Sequence, residues 1–243
     1  MDRLSSRTLT AICSIIMLIS GIATSNARSS DNSEKQYSFE VGQFTALKVV
    51  DNVNVIYHCQ PDTTGVIHYT SDPDFADAFI FTNSGGTLKI QVTTEDVGKP
   101  GLPTIHVYSD FLSKIENDSE FQLKVNNLAP CPELSVLLIG NGNISIQGIR
   151  STKVTARATA GNGQISLSGA CNEAEFRITG TGTIQADNLA ADKVTCKILG
   201  GGTIGCYPLD YLKVGGVGST KIFYKGNPEI KHKGGGKLIK LSE

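Results

Sequence analysis

The chain has 243 residues, 40% of them hydrophobic and 19% charged, enough apolar side chains to pack one elongated domain or two small ones. A net charge of −1 excludes a nucleic-acid binder that works through bulk positive charge. Glycine is the outlier, with 26 residues that recur at intervals after residue 140, in a chain without Trp.

The N-terminus reads as a targeting segment. Arg3 and Arg7 precede an apolar run from Leu9 to Ile22, and Ser25-Asn26-Ala27 places small residues around a cut after Ala27. This pattern predicts a signal peptide over 1–27 and an exported protein, in the periplasm, on the outer-membrane surface or outside the cell. The run is too short and too interrupted for a good membrane-spanning helix. Residues 28–36 are polar and read as a flexible leader. Export permits disulfides, yet the mature chain keeps an odd set: Cys59, Cys131, Cys171, Cys196 and Cys206. With no Cys-x-x-Cys pair and no zinc-like spacing, they read as small buried hydrophobes.

Residues 37–116 read as successive short strands. Val49, Val53, Val55 and Tyr57 mark one, and Val66 to Tyr69 another. A turn at Asn83–Gly86 leads into alternating Leu88, Ile90 and Val92, and Ile105 and Val107 share a face further on. Alternation punctuated by Gly, Pro, Asn and Asp is a strand-and-turn signature. These strands are expected to cap one end of the C-terminal half.

From about residue 117 the sequence repeats. Gly140-Asn-Gly142-Asn-Ile144-Ser-Ile146 is answered by Gly161-Asn-Gly163-Gln-Ile165-Ser-Leu167, Gly180-Thr-Gly182-Thr-Ile184-Gln-Ala186 and Gly200-Gly-Gly202-Thr-Ile204-Gly-Cys206. Gly216 to Gly218 and Gly234 to Gly236 close the series, and the steps between first glycines are 21, 19, 20, 16 and 18 residues. A second alternating strand precedes each glycine pair, as Leu134, Val136 and Leu138 do before Gly140. Before Gly161 the equivalent Val154, Ala156 and Ala158 are displaced by one, which predicts one extra residue in that coil, a bulge. A fixed period with one apolar unit per step means stacked coils.

The expected fold is therefore all-β: an N-terminal β-strand cap over 37–116, then a parallel, right-handed β-helix of about 20-residue coils over 117–243. Ile144, Ile165, Ile184 and Ile204 should form one interior column, and Ile146, Leu167, Ala186 and Cys206 the next. Cys196 and Cys206 share a coil and both point inward, so they are the only cysteine pair placed to meet.

Three features together resemble the auto-transporter adhesin head GIN-domain family of secreted Bacteroidetes-type proteins. They are the strand Phe44-x-x-Leu47-x-Val49 followed by Val53-x-Val55, the repeated Gly-x-Gly-x-Ile unit, and the closing Gly216-x-Gly218-x-x-x-Ile222-x-Tyr224-x-Gly226-x-Pro228. The resemblance covers about residues 37–241 and implies a β-helical architecture and an adhesin-like role, with no catalytic residues to carry over.

Reactive constellations are missing from the sequence. A calcium-binding glycine repeat needs an Asp where these units carry an inward isoleucine. The coil acids Glu133, Glu173, Glu175, Asp187, Asp192 and Asp210 offer no paired carboxylates for glycan hydrolysis. His58, His68, His106 and His232 fall on separate strands without ligand spacing and read as strand-face histidines. Ser168 lacks the first glycine of a nucleophile elbow. We therefore expect no enzyme activity, no cofactor, no metal and no nucleic-acid partner.

Two surfaces suit binding. Outward positions beside the isoleucine column carry amides and hydroxyls, and Asn143, Gln164, Thr183 and Gln185 are the expected contacts for sugar hydroxyls. Lys221, Lys225, Lys231, Lys233, Lys237 and Lys240 crowd the C-terminal end, where they can meet an anion or blunt the last sheet edge. The functional expectation is an exported, adhesin-like or envelope-associated binding module for a cell-surface glycan or envelope component. The alternatives are an assembly protein that forms homo-oligomers through its β-helix and, more weakly, a polysaccharide-active enzyme.

Overall fold

Apolar residues at every second position leave the chain little choice but strand, and a computed structural model describes residues 34–242 on that plan. The expected signal peptide, 1–27, lies outside the described residues, as does most of the 28–36 leader. The first strands are β1 (Lys35–Glu40), β2 (Ala46–Val50), β3 (Val55–Cys59), β4 (Val66–Ser71), β5 (Phe79–Ser84), β6 (Thr87–Val92) and β7 (Ile105–Ser109). Next come β8 (Lys114–Asp118), β9 (Gln122–Val125) and β10 (Cys131–Ile139). Four long, bent strands come after them: β11 (Asn143–Thr159), β12 (Gln164–Gly180), β13 (Thr183–Gly200) and β14 (Thr203–Gly218). The chain closes with β15 (Lys221–Tyr224), β16 (Glu229–Gly234) and β17 (Lys237–Lys240). Among the described residues the single helical element is a 3-10 turn at Pro73–Phe75.

Parallel pairing sorts these strands into two stacks that share one core. Sheet I runs β6, β2, β8, β10, the C-terminal halves of β11 to β14, and β16. Sheet II runs β7, β3, β9, the N-terminal halves of β11 to β14, β15 and β17. Each coil contributes one strand to each sheet, which is a β-helix. Parallel pairing also reaches into residues 37–116. The coil made by β2 and β3 lies between the coil of β6 and β7 and that of β8 and β9.

The isoleucine column forms as the spacing dictates. Ile144, Ile165, Ile184 and Ile204 are register partners and all but buried. The column extends through Leu123, Val55 and Ile105 on one side and through Ile222 and Leu238 on the other. In the next column Ile146 pairs with Leu167, and Ala186 pairs with Cys206. Between these two pairs β13 carries one extra residue, since Ser166 pairs with Gln185 and Ser168 with Asn188, and Leu167 and Ala186 both stay buried across this irregularity. The extra residue expected before Gly161 falls at the corner after β11: Thr159 pairs with Thr179 but Gln164 with Thr183, and Ala160 takes it up with φ 56°. A second shift, between Ile146 and Ile149, is absorbed at Gly148 with φ 70°.

Glycine at the first corner answers to crowding as much as to conformation. A Cβ built on Gly161 falls on the carbonyl of Gly140, and one on Gly202 falls on the carbonyl of Gly182. Successive corners therefore touch backbone to backbone. Where the series lacks a glycine, Thr220 is fully buried; its hydroxyl donates to the Gly200 carbonyl and accepts from the Gly202 N–H, both at 3.2 Å.

The N-terminal end is closed by antiparallel strands. β1 pairs with β4 and β4 with β7, while β5 pairs with β6. Tyr37, Phe39, Tyr69, Phe79 and Phe81 meet there, with ring centroids 5.2 Å apart for Tyr37–Tyr69 and 5.3 Å for Phe39–Phe81. This aromatic plug pulls β1 back to Lys35, inside the stretch expected to be a flexible leader, because Tyr37 and Phe39 need a core to bury against. At the other end every residue of β16 is exposed.

All five described cysteines are free. Cys196 and Cys206 face one another across the core, and their contact together with burial raises the Cys196 thiol well above its ordinary range. Thiol titration of denatured, unreduced protein is expected to count five thiols, and a lower count would reveal a bond. Ile165→Ala opens a cavity in the middle of the column and is expected to cost about 2–4 kcal/mol in chemical denaturation. A cost near zero would mean that the column carries little of the stability.

Candidate functional site

Strand alternation sends Asn143, Gln164, Thr183 and Gln185 to the outward face of sheet II. Asn143, Gln164 and Thr183 are consecutive register partners, continued by Thr203, Lys221 and Lys237. Two positions along, Ser145, Ser166 and Gln185 form a parallel row. The side chains are linked, since Gln164 Nε2 donates to Ser166 Oγ at 3.0 Å and to Gln185 Oε1 at 3.1 Å. Neighbouring strands in a sheet lie about 4.8 Å apart, so this is a flat row of uncharged donors and acceptors at coil spacing. Such a row exchanges hydrogen bonds with hydroxyls in either direction. The structure brings all four expected residues onto one surface.

Three of the coil acids, Glu173, Glu175 and Asp187, are engaged by cations. Glu173 lies in register between Lys153 and Lys193. Glu175 Oε1 accepts from Lys197 Nζ at 2.7 Å, and that bond holds its carboxyl below the usual carboxylate range. Asp187 has Lys225 3.4 Å away. Glu175, held ionised by Lys197, is a poor proton donor near neutral pH.

The histidines lie on the faces of separate strands, as expected, but three of those strands are neighbours. Three of the four come together on the outward face of β3, β4 and β7. His58 Nε2 and His106 Nδ1 are 2.9 Å apart, one ring's N–H donating to the other's bare nitrogen. Tyr108 stacks on His58 at 4.7 Å and meets His68 edge-on at 5.3 Å, and His68 Nδ1 is buried without a hydrogen-bond partner. The pairing of β3 with β7 sets Val55 opposite Ile105 and brings together His58 and His106, 48 positions apart, separations that no repeat in the sequence announces. Among the described residues, no group of three or more His, Cys, Asp or Glu is arranged to hold a metal ion.

Comparison with known proteins gives a family and a set of folds. The family model described as "Putative auto-transporter adhesin, head GIN domain" matches residues 43–228. A solved structure described as a putative adhesin, from Bacteroides fragilis NCTC 9343, is 21% identical with a TM-score of 0.75, over 87% of this chain and 98% of that one. A putative adhesin from Parabacteroides merdae ATCC 43184 reaches a TM-score of 0.68 at 21% identity, over 87% of this chain and 98% of that one. A protein described as a putative lipid binding protein, from Parabacteroides distasonis ATCC 8503, gives the same four values: 0.68, 21%, 87% and 98%. At such identity the likeness is one of fold. The sequence matches none of the curated proteins.

The histidine pair makes stability depend on acid. Burial first, and the neighbouring His106 second, lower the His58 pKa. The folded protein thus favours neutral His58, whereas an unfolded chain takes up the proton near pH ~6.5. The resulting stability is present above about pH 6.5 and is lost as the pH falls through the lowered folded value. Two protonated rings would also bring N–H against N–H. His58→Gln is expected to flatten the fall in melting temperature between about pH 7 and 5. Identical pH profiles for the two proteins would remove His58 from the effect.

Proposed function

Because this chain belongs to the auto-transporter adhesin head GIN-domain family, we propose that it is an exported, non-catalytic binding module that holds a glycan along the outward face of sheet II. The observation that carries this reading is the in-register row of Asn143, Gln164 and Thr183 beside Gln185. Rigid coils repeat outward groups at a fixed interval, which suits an extended chain of similar units better than a single reacting bond. Amides and hydroxyls offer an uncharged, two-way hydrogen-bonding surface, which matches neutral sugar hydroxyls.

Single hydrogen bonds of this kind contribute about 0.5–1.5 kcal/mol each, so affinity depends on several coils acting together. A glycan-array screen of residues 28–243 is expected to find neutral ligands. Gln164→Ala with Gln185→Ala should weaken their binding about tenfold, the equivalent of about 1.4 kcal/mol. The melting temperature should stay nearly unchanged, since both side chains lie outside the core. Undiminished affinity in the double variant, or turnover of any polysaccharide by the purified protein, would refute this assignment.

A further inference from the structure

The outward face of sheet I is built on a different charge rule from one column to the next. In one column Glu133, Lys153, Glu173 and Lys193 are successive register partners, so the signs alternate and the row neutralises itself. Four residues further along each strand, Arg157, Arg177 and Lys197 are successive partners, and three cations stack at about 4.8 Å intervals. Like charges directly opposite one another in a sheet are destabilising. Glu175 pairs with Lys197 and also feels the charge of Arg157, but among the described residues no carboxylate comes within ion-pair distance of Arg157 or Arg177.

The cations continue past this stack. Lys213 and Lys231 are register partners on the same face, and Lys233 lies in the Arg157 column beyond Gly215. A shallow hollow lies at each end of this run, one bordered by Lys114, Lys153 and Arg157 and the other by Lys213, Lys231 and Lys233. Hydroxyls and apolar side chains flank the cations: Thr155 and Thr195 on one side, Thr159, Thr179 and the exposed Leu199 on the other.

We infer that the outward face of sheet I, centred on Arg157 and Arg177, docks a linear anionic polysaccharide laid across the coils. The unpaired, stacked guanidiniums supply the charge complement, the threonines meet hydroxyls, and Leu199 meets the apolar face of a sugar ring. Sparse charge fits this partner better than duplex DNA, which presents one negative charge per ~1.7 Å and would meet Glu133, Glu173 and Glu175 on the same surface. The surface is independent of the polar row on sheet II.

The test uses the mature chain with polygalacturonate, dextran sulfate, neutral dextran and duplex DNA, with affinity measured across a salt series. Binding to at least one of the two acidic polysaccharides is expected, weakening as salt rises. The double variant R157Q/R177Q should bind it about tenfold more weakly and show a shallower salt dependence. Its melting temperature should hold or rise, because a like-charge stack has been removed. Gln164→Ala with Gln185→Ala should leave this binding intact, which separates the two faces. The inference is overturned if neither acidic polysaccharide binds, if R157Q/R177Q binds like the parent, or if the Gln164→Ala/Gln185→Ala variant, with the sheet II row removed, binds neutral dextran as tightly as the acidic polysaccharide. Tighter binding to DNA would overturn it in favour of a nucleic-acid partner, and a large loss of melting temperature with affinity retained would assign the arginines to stability alone.

Discussion

Backbone hydrogen bonding between successive coils is the constraint on which the rest of this molecule depends. It holds neighbouring strands about 4.8 Å apart and locks each residue over its counterpart one coil away. A residue type chosen once per coil therefore becomes a continuous stripe. Inward, isoleucine yields a dry column from Ile105 to Ile222, where every branched side chain packs against its equivalents. At the corners, the same spacing leaves no room for a Cβ at Gly161 or Gly202. Outward, it writes amides into one face and cations into another. Core, corner and surface are one repeated geometry with different side chains.

Two kinds of surface result. Sheet II exposes a row whose polar atoms already bond to one another, as Gln164 does to Ser166 and Gln185. Such a row costs little to maintain and can exchange its internal hydrogen bonds for external ones. Sheet I exposes cations held in register by a backbone that cannot slide to relieve them. Its self-neutralising column, Glu133 to Lys193, shows that the chain can arrange compensating charges at this spacing.

How much of this is legible in the sequence depends on the separation between partners. Ile144, Ile165, Ile184 and Ile204 lie about 20 residues apart with glycines before them, so both their stacking and their burial can be read directly. The row containing Asn143 and Gln164 comes from the same units by alternation. Arg157, Arg177 and Lys197 also lie 20 apart, just before Gly161, Gly180 and Gly200, so their stacking follows from the same alternation; which outward rows keep an acidic partner does not. Pairing in the N-terminal region is hidden for a different reason. Ala46 meets Thr87 on one side and Lys114 on the other, and neither offset resembles the repeat. The contact of His58 with His106 depends on that pairing and is equally invisible. Lys35 looks like part of a leader because its polar neighbours outnumber Tyr37 and Phe39, the aromatics that anchor β1 in the end plug.

The placement of β2 and β3 between coils that come later in sequence bears on how the chain can assemble. From β10 onward each coil can condense on the one before it, so order can spread by local, low-cost loop closures. The β2–β3 coil has no such template. Lys48 reaches Glu116 at 2.6 Å, a partner 68 positions away, and Val92 bonds to Asp51 at a separation of 41. Contacts of such high order close large loops before they gain any stability, which slows folding. The first-made strands of the core must therefore wait, open on both edges, until β6 to β9 have emerged to enclose them, and a strand left open in that way is where misassembly with another chain begins.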